Sequence, residues 1–336
     1  MEMRQQFGKT RDLTEDIARQ ASEVIRCSRE LFGTYALRGR LDDVLRLTEA
    51  LDRLIGPDLS EIERVRLLLL KARVAEKEAR RSTKGHDELI ESLNELVVRA
   101  TKLGSVELRA EALYLLSAAV MGRSELGADA SYDEAQGISE ESLELRRELG
   151  DPRGIAESLF RLGILYQHKA DDAETNADTA LTLLREACSL AKEAGDRETE
   201  AHAMCHIGWV LLRAKGDHRQ ALAVFEESLQ IAREIGWEWF LPPILEAVGV
   251  SHYESGDLDK ARMYFEETER LAEDAGFERY RFSSPVRIGE LLKMKEDIDG
   301  ARREYERAIE IAKSFGFNAG IEAIQMRIAD LEAEGS

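Results

Sequence analysis

The chain has 336 residues, of which 43% are hydrophobic and 34% charged, a composition typical of a folded protein rather than a disordered one. Only 5 prolines and 6% aromatic residues, set against long runs of Ala, Leu, Glu and Arg, argue against a β-sandwich or barrel and predict an all-α protein. The formal net charge of −19 repels nucleic-acid phosphates and anionic lipid, so neither nucleic acid nor membrane is an expected partner.

The first twelve residues are polar and contain no apolar core, so they predict an N-terminal tail and no secretory signal. The longest apolar stretches are far shorter than the roughly 18 residues that a membrane span needs. The three cysteines, Cys27, Cys188 and Cys205, are widely separated, which indicates neither a disulfide framework nor a thiolate zinc site. A reducing, cytoplasmic location is expected.

Residues 13–58 are predicted to form a degenerate first helical hairpin, because Leu41, Leu45 and Gly56 keep the register of the repeats that follow. Residues 1–57 hold ten Lys and Arg and ten Asp and Glu. This balanced charge lacks the basic footprint that a DNA-binding headpiece requires.

A glycine that closes an amphipathic segment recurs along the chain at intervals of 48, 46, 45, 41, 40 and 40 residues. A leucine or alanine stands fifteen positions before each one, so every unit ends in a helix of similar length. Glycine is expected there because a helix commonly closes with a left-handed residue. The seven glycines are Gly56, Gly104, Gly150, Gly195, Gly236, Gly276 and Gly316.

Each unit also contains an earlier helix, and the two helices make a hairpin. Small residues, Gly163, Gly208, Gly249 and Gly289, mark the predicted crossing points, and Ala72 and Ser117 stand in their place in the earlier units. The predicted units are residues 59–104, 105–150, 151–195, 196–236, 237–276 and 277–316. Residues 317–336 are predicted to form a solvating C-terminal capping helix.

These hairpins resemble tetratricopeptide repeats (TPRs), with Leu-x-x-Leu/Ile-Gly-x-x-Tyr/Leu in the first helix and Ala-x-x-x-Phe-x-x-Ala/Ser in the second. The period of roughly 40 residues is similar to the longer-period subclass of that family. The resemblance implies a right-handed α-α superhelix, a TPR-like solenoid of about seven hairpins plus the capping helix. It also implies a concave groove lined by the first helices.

Residues spaced by four and three positions on the first helices form the predicted partner-binding groove. They give it an aromatic and apolar middle with a polar rim, as in peptide-binding grooves. The groove residues are Phe160, Ile164, Gln167, Cys205, Trp209, Leu212, Glu246, Val250, Tyr253, Val286, Glu290 and Lys293. The alternative is that Phe160 and Trp209 are packed between hairpins.

Some family members grip a C-terminal carboxylate with Lys and Asn at fixed groove positions, which hold Phe160, Cys205, Glu246 and Val286 here. That clamp is therefore absent. Extra residues between the helices of three hairpins offer a second candidate surface at one edge of the solenoid, with loops or extended helices as the alternative. These insertions are residues 80–86, 123–132 and 171–178.

His202, Cys205 and His206 share a helix and include two metal-binding residue types, but they lack the additional ligand that zinc usually requires. No metal site and no cofactor are predicted. The chain carries no nucleophile elbow, phosphate-binding loop or dinucleotide fingerprint, so an enzyme is not expected either.

The sequence therefore predicts a non-catalytic scaffold or adaptor that captures a peptide or helix in its concave groove. Trp209, Phe160 and Tyr253 are the expected anchors. One alternative is a regulatory sensor for a small molecule or signalling peptide, for example a detached regulator arm. Another is self-association into a homodimer, either through an open end or through residues 237–240.

Overall fold

The computed structural model describes residue 23 and residues 41–55, 59–82, 84–125, 132–169 and 173–334. All secondary structure in these ranges is helical. Several predicted regions lie wholly or partly outside the described residues. They are the tail 1–12, the degenerate hairpin 13–58, of which only residue 23 and helix Leu41–Ile55 are described, and parts of the three insertions. The division into a degenerate hairpin and six repeats stays a prediction, because helix bounds alone do not define repeat boundaries.

The chain separates into two compact units. Unit 1 comprises residues 1–80 and 84–165, and unit 2 comprises residues 81–83 and 166–336. The helices of unit 1 are α1 (Leu41–Ile55), α2 (Glu61–Ser82), α3 (His86–Lys102), α4 (Val106–Glu125), α5 (Tyr132–Leu149) and the greater part of α6 (Pro152–His168). Helix α4 packs on both α3 and α5.

Unit 2 continues with eight further helices in its described residues. They are α7 (Ala173–Glu193), α8 (Arg197–Arg213), α9 (His218–Glu234), α10 (Leu241–Glu254), α11 (Leu258–Ala275), α12 (Glu278–Met294), α13 (Ile298–Phe315) and α14 (Asn318–Glu334). Each helix packs on the next, and the first helices α8, α10 and α12 also contact one another in sequence. These three helices therefore form one layer that presents a common face.

The predicted helix-closing glycines are confirmed wherever they are described. Gly104, Gly150, Gly195, Gly236, Gly276 and Gly316 have φ between 63° and 81°. At Gly276, for example, the amides of Gly276 and Phe277 donate to the carbonyls of Glu273 and Ala272. These bonds satisfy carbonyl groups that the helix end leaves free, so the helix stops at a defined residue.

The predicted crossing glycines of unit 2 face an aromatic ring of the second helix in the same hairpin. A β-carbon on Gly208 would lie 2.5 Å from Phe225, and one on Gly289 would lie 2.5 Å from Tyr305. The missing side chain therefore lets the ring pack directly on the helix backbone. In unit 1 the hairpin of α4 and α5 has Ser117 and Ser139 instead, with their hydroxyl oxygens 2.6 Å apart. In this hairpin a buried hydrogen bond between two serines takes the place of the contact between a glycine and an aromatic ring.

Candidate functional site

Two surfaces of the first helices carry chemically distinctive side chains, one in each unit. The surface in unit 2 is a pocket of about 430 Å³. It is lined by Tyr253 from α10, Glu290, Lys293 and Met294 from α12, Tyr305 from α13, and Arg327 and Asp330 from α14. Three predicted groove residues, Tyr253, Glu290 and Lys293, thus come together. We call this set of seven residues the unit 2 pocket.

Glu290 lines the unit 2 pocket and pairs with two arginines. It accepts hydrogen bonds from Arg287 at 3.0 Å and from Arg327 of the capping helix. Burial, together with the Glu290 carboxylate, raises the pKa of the Tyr253 hydroxyl, which stays protonated at neutral pH and can donate a hydrogen bond. The pocket therefore combines an aromatic edge with fixed charges of both signs.

Half-buried side chains of the predicted groove, Gln167, Trp209 and Glu246, lie elsewhere in unit 2. The Trp209 ring packs edge-on against Phe225, with centroids 5.4 Å apart, and the Arg213 guanidinium lies 5.2 Å from its centroid. The Oε1 atom of Gln167 lies 2.9 Å from Nδ1 of His206. Trp209 consequently supports its own hairpin as well as facing the surface.

The apolar members of the predicted groove are buried. The exposed fractions are 3% for Phe160, 2% for Ile164, 2% for Cys205, 3% for Leu212, 2% for Val250 and 8% for Val286. Side chains this deep contribute to packing between helices, so they are not exposed on the surface. Burial also raises the pKa of the Cys205 thiol to about 12, which leaves it uncharged and unreactive.

The two histidines near Cys205 belong to an aromatic cluster. The His202 ring lies 4.2 Å from Phe240 and 5.6 Å from Trp237, measured between centroids, and 5.5 Å from the His206 ring. No group of three or more His, Cys, Asp or Glu side chains in the described part of the chain is arranged to hold a metal ion. Cys205 is buried, and the rings of His202 and His206 contact each other.

The surface in unit 1 is a charged cluster around the half-buried ring of Tyr114, and sequence reasoning missed it. Three guanidinium carbons surround the ring centroid: Arg146 at 4.6 Å, Arg161 at 5.2 Å and Arg73 at 5.8 Å. Glu111 and Glu157 lie among them, at 2.8 Å and 3.8 Å from Arg73. We call these six residues the Tyr114 cluster.

One sequence signal could have revealed the Tyr114 cluster. Arg146 stands four residues before Gly150, a position that holds a fully buried alanine before the five other described helix-closing glycines. These alanines are Ala100, Ala191, Ala232, Ala272 and Ala312. An arginine in a row of core alanines needs a polar environment, and the carbonyl of Gly154 and the carboxylate of Glu157 provide it at 2.7 Å and 2.9 Å.

Comparison with known proteins agrees with the helical-hairpin fold. The tetratricopeptide repeat family model matches residues 173–234, so the predicted recognition of tetratricopeptide repeats is confirmed. No curated protein matches the chain. The described helices are all too short or too polar to span a membrane.

Solved structures share the fold over most of the chain. A Rap protein complexed with Competence and Sporulation Factor is 16% identical, with a TM-score of 0.68, covering 92% of this chain and 80% of that one. NprR in complex with its cognate peptide NprX is 15% identical, with a TM-score of 0.61 and coverages of 94% and 84%. The apo form of the quorum sensor NprR from B. thuringiensis is 16% identical, with a TM-score of 0.63 and coverages of 94% and 81%. The protein is therefore an all-α, TPR-like solenoid.

Proposed function

We propose that this protein is a non-catalytic binding protein that holds a peptide or an amphipathic helix in the unit 2 pocket and along the neighbouring first helices. One observation carries the proposal: Tyr253, Glu290 and Lys293, which the repeat register predicts as groove residues, line one pocket. These three residues come from the first helices α10 and α12, which contact each other, as a continuous binding surface requires.

The chemistry of the unit 2 pocket suits a peptide. The Tyr253 ring offers a partly exposed aromatic surface, and Met294, with an exposed fraction of 55%, adds an adaptable apolar contact. Glu290 and Asp330 can accept hydrogen bonds, while Lys293 and Arg327 can donate them. An aromatic anchor beside paired polar groups gives both affinity and a defined direction to the bound chain.

The proposal agrees with the fold that this chain shares with these solved structures at 15–16% identity. NprR is solved with its cognate peptide. At least one protein of this fold therefore binds a peptide. We place this chain's binding activity in the cytoplasm, where it would act as an adaptor.

A regulatory sensor is the second candidate, and the likeness to the quorum sensor NprR favours it. A sensor has to change its conformation when its ligand binds, because only a ligand with different affinities for two states shifts their populations. Small-angle scattering with and without the bound peptide distinguishes the candidates. A ligand-dependent change in the radius of gyration identifies a sensor, whereas an unchanged value identifies a static scaffold.

The test begins with selection of binders to the full chain from a displayed library of random peptides. The affinities of the selected peptides are then measured by fluorescence anisotropy for the parent, Tyr253→Ala and Lys293→Glu. We expect each variant to bind about tenfold or more weakly, since loss of one central contact costs more than about 1 kcal/mol. Lys313→Glu, an exposed charge reversal on the second helix α13, is the matched control and should bind like the parent.

Trp209→Ala is a poor probe of the groove because the indole also packs on Phe225. Circular dichroism should show that each tested variant keeps its helix content. Selected peptides that bind Tyr253→Ala and Lys293→Glu as tightly as the parent would disprove the assignment of the unit 2 pocket. A library that yields no binder would also count against peptide capture.

A further inference from the structure

The Tyr114 cluster assembles more positive than negative charge in a largely buried place. Arg73 and Tyr114 come from the first helices α2 and α4, and Arg161 comes from the unit 1 part of the first helix α6. They therefore belong to the same row of helices within unit 1. Arg80 lies at the edge of this cluster and is paired with Glu76. The Nε atom of Arg80 is 2.8 Å from the Oε1 atom of Glu76.

Most of these charges are paired. Arg73 contacts Glu111 and Glu157, and Arg146 contacts Glu157. Burial would lower the pKa of the Arg73 guanidinium, but the Glu111 and Glu157 carboxylates outweigh that effect and raise it. Arg73 and Arg146 are therefore held by neighbouring carboxylates.

Arg161 differs from Arg73 and Arg146 in its hydrogen bonding. Its residue is only 3% exposed, yet its Nε and Nη1 atoms have no hydrogen-bond partner in the described part of the chain. Its contacts are the face of the Tyr114 ring and a longer-range attraction to the carboxylate of Glu76. That attraction helps lower the pKa of Glu76, although burial alone would raise it. Of the three guanidinium groups around the Tyr114 ring, Arg161 is thus the one whose donors have no hydrogen-bonded carboxylate in the described part of the chain.

A buried guanidinium with unsatisfied donors is unfavourable unless another group completes its hydrogen bonds. Two residues of the sequence are adapted to guanidinium groups at this place in the core. Arg146 replaces a core alanine, and Gly154 leaves room for it: a β-carbon on Gly154 would lie 2.9 Å from Cδ of Arg146. Tyr114 and Arg73 are half-buried, so one edge of the cluster reaches the surface.

We propose that Arg161 and the Tyr114 cluster form a binding site for the carboxylate group of a ligand. The planar guanidinium presents two parallel donors that match the two oxygens of a carboxylate. A carboxylate monoanion can accept from the unpartnered donors of Arg161, whereas a phosphate dianion would be repelled more strongly by the nearby Glu111 and Glu157 carboxylates. The site lies within unit 1, and it does not depend on peptide binding in the unit 2 pocket.

The test uses the full chain with sodium acetate as the probe, compared with sodium chloride at matched ionic strength and pH. A ligand that binds only the folded state of a protein raises the melting temperature of that protein. We expect acetate to raise the Tm of the parent more than chloride does, and this difference should vanish in Arg161→Met. Arg66→Met, which removes an exposed arginine of unit 1, is the matched control and should respond like the parent.

Arg161→Lys guards against a failure of Arg161→Met to fold, because lysine keeps the charge and loses the planar fork. We expect it to show a smaller acetate effect than the parent. Equal effects of acetate and chloride on the parent, or an undiminished acetate effect in either Arg161 variant, would overturn the proposal.

Two further probes separate the possible sources of the carboxylate. Peptides lacking Asp and Glu are tested with a free or an amidated C-terminus, and propionate, a monoanion, represents a small organic acid. An Arg161-dependent response to the free peptide alone identifies a peptide terminus. An Arg161-dependent response to propionate alone identifies a small acid. If neither probe gives an Arg161-dependent response, the carboxylate site is disproved, whatever the outcome of the peptide selection on the unit 2 pocket.

Discussion

The ring of Phe265 occupies the space that a side chain on Gly249 would need, since a β-carbon there would lie 2.7 Å from Cε1 of the ring. Both residues are buried, and Phe265 is completely inaccessible. The ring can therefore approach the backbone of α10 more closely than any other residue at position 249 would allow. The hairpin of α10 and α11 depends on this contact.

Gly249→Ala is expected to destabilise the protein by about 1–3 kcal/mol, because the added methyl forces the Phe265 ring and its helix to move. Denaturant unfolding followed by circular dichroism measures the change. Gly137→Ala is the matched control, because Gly137 is exposed inside helix α5 and a β-carbon there meets nothing within 4 Å. That control should stabilise the helix by about 0.5–1 kcal/mol, since alanine has the higher helix propensity. Equal effects of the two exchanges would contradict the close contact.

Ser117 and Ser139 provide a second test of hairpin packing. The Ser117 hydroxyl donates to the carbonyl of Ala135 at 2.8 Å and accepts from Ser139. Ser117→Ala should cost about 1–3 kcal/mol because it leaves the buried Ser139 hydroxyl without its partner. Ser139→Ala should cost less, since Ser117 keeps its bond to Ala135. A double-mutant cycle measured by urea unfolding should give a combined loss smaller than the sum, whereas strict additivity would exclude the coupling.

Arg146 and Arg161 should differ sharply in their contribution to stability, although the residues are buried to a similar degree. Arg146→Met is expected to cost about 3–5 kcal/mol because it leaves the Glu157 carboxylate without its closest cation, at 2.9 Å. Arg161→Met should change stability little in the absence of ligand, since it removes an unsatisfied buried charge along with the ring contact. Chemical denaturation of both variants in buffer free of carboxylates checks this order. A larger loss for Arg161→Met would show that its charge is satisfied in the unliganded protein.

His252 should make stability depend on pH below its ordinary pKa of 6.5. Burial, followed by the positive charge of Lys260, lowers its pKa in the folded state, although the Asp257 and Glu226 carboxylates oppose the shift. Its ring also stacks on Tyr264, with centroids 5.5 Å apart. The unfolded chain therefore binds the proton more readily, and this stabilising contribution is lost as the pH falls from 6.5 towards the folded-state pKa.

His252→Phe should reduce the loss of stability over this pH range, because phenylalanine keeps a ring against Tyr264 without the titrating group. Unfolding free energies measured from pH 7.5 down to about 5 give the slope for each protein. Gln220→Ala, which exchanges an exposed residue that does not titrate, is the comparison and should preserve the parent slope. An unchanged slope in His252→Phe would assign the pH dependence to other groups.

Local signals in the sequence were sufficient to predict the helical hairpins and the glycines that close their second helices. A glycine with positive φ, a small residue at a helix crossing and an apolar stripe each act through neighbours within a few turns. Six of the predicted helix-closing glycines consequently have the expected backbone conformation. In unit 2, the crossing glycines Gly208, Gly249 and Gly289 lie under the expected aromatic rings. The recognition of tetratricopeptide repeats rests on the same periodic pattern.

The predicted groove shows where such local reasoning stops. Residues spaced three and four positions apart lie on one face of a helix. How many of them are exposed to solvent depends on how closely neighbouring hairpins pack. Val250 is therefore buried beside the half-buried Tyr253 on the same helix. The cap was predicted as a solvating helix, and only the tertiary structure brings its Arg327 onto Glu290, 37 residues away.

The sequence alone determined the helical hairpins, since these depend on periodicity and on backbone preferences of single residues. The tertiary structure alone decided the unit 2 pocket and the Tyr114 cluster. Arg73 and Glu111 are separated by 38 positions, and Arg146 and Arg161 reach the same ring from different helices. Such contacts depend on burial and charge pairing across hairpins, which arise only when the chain is folded.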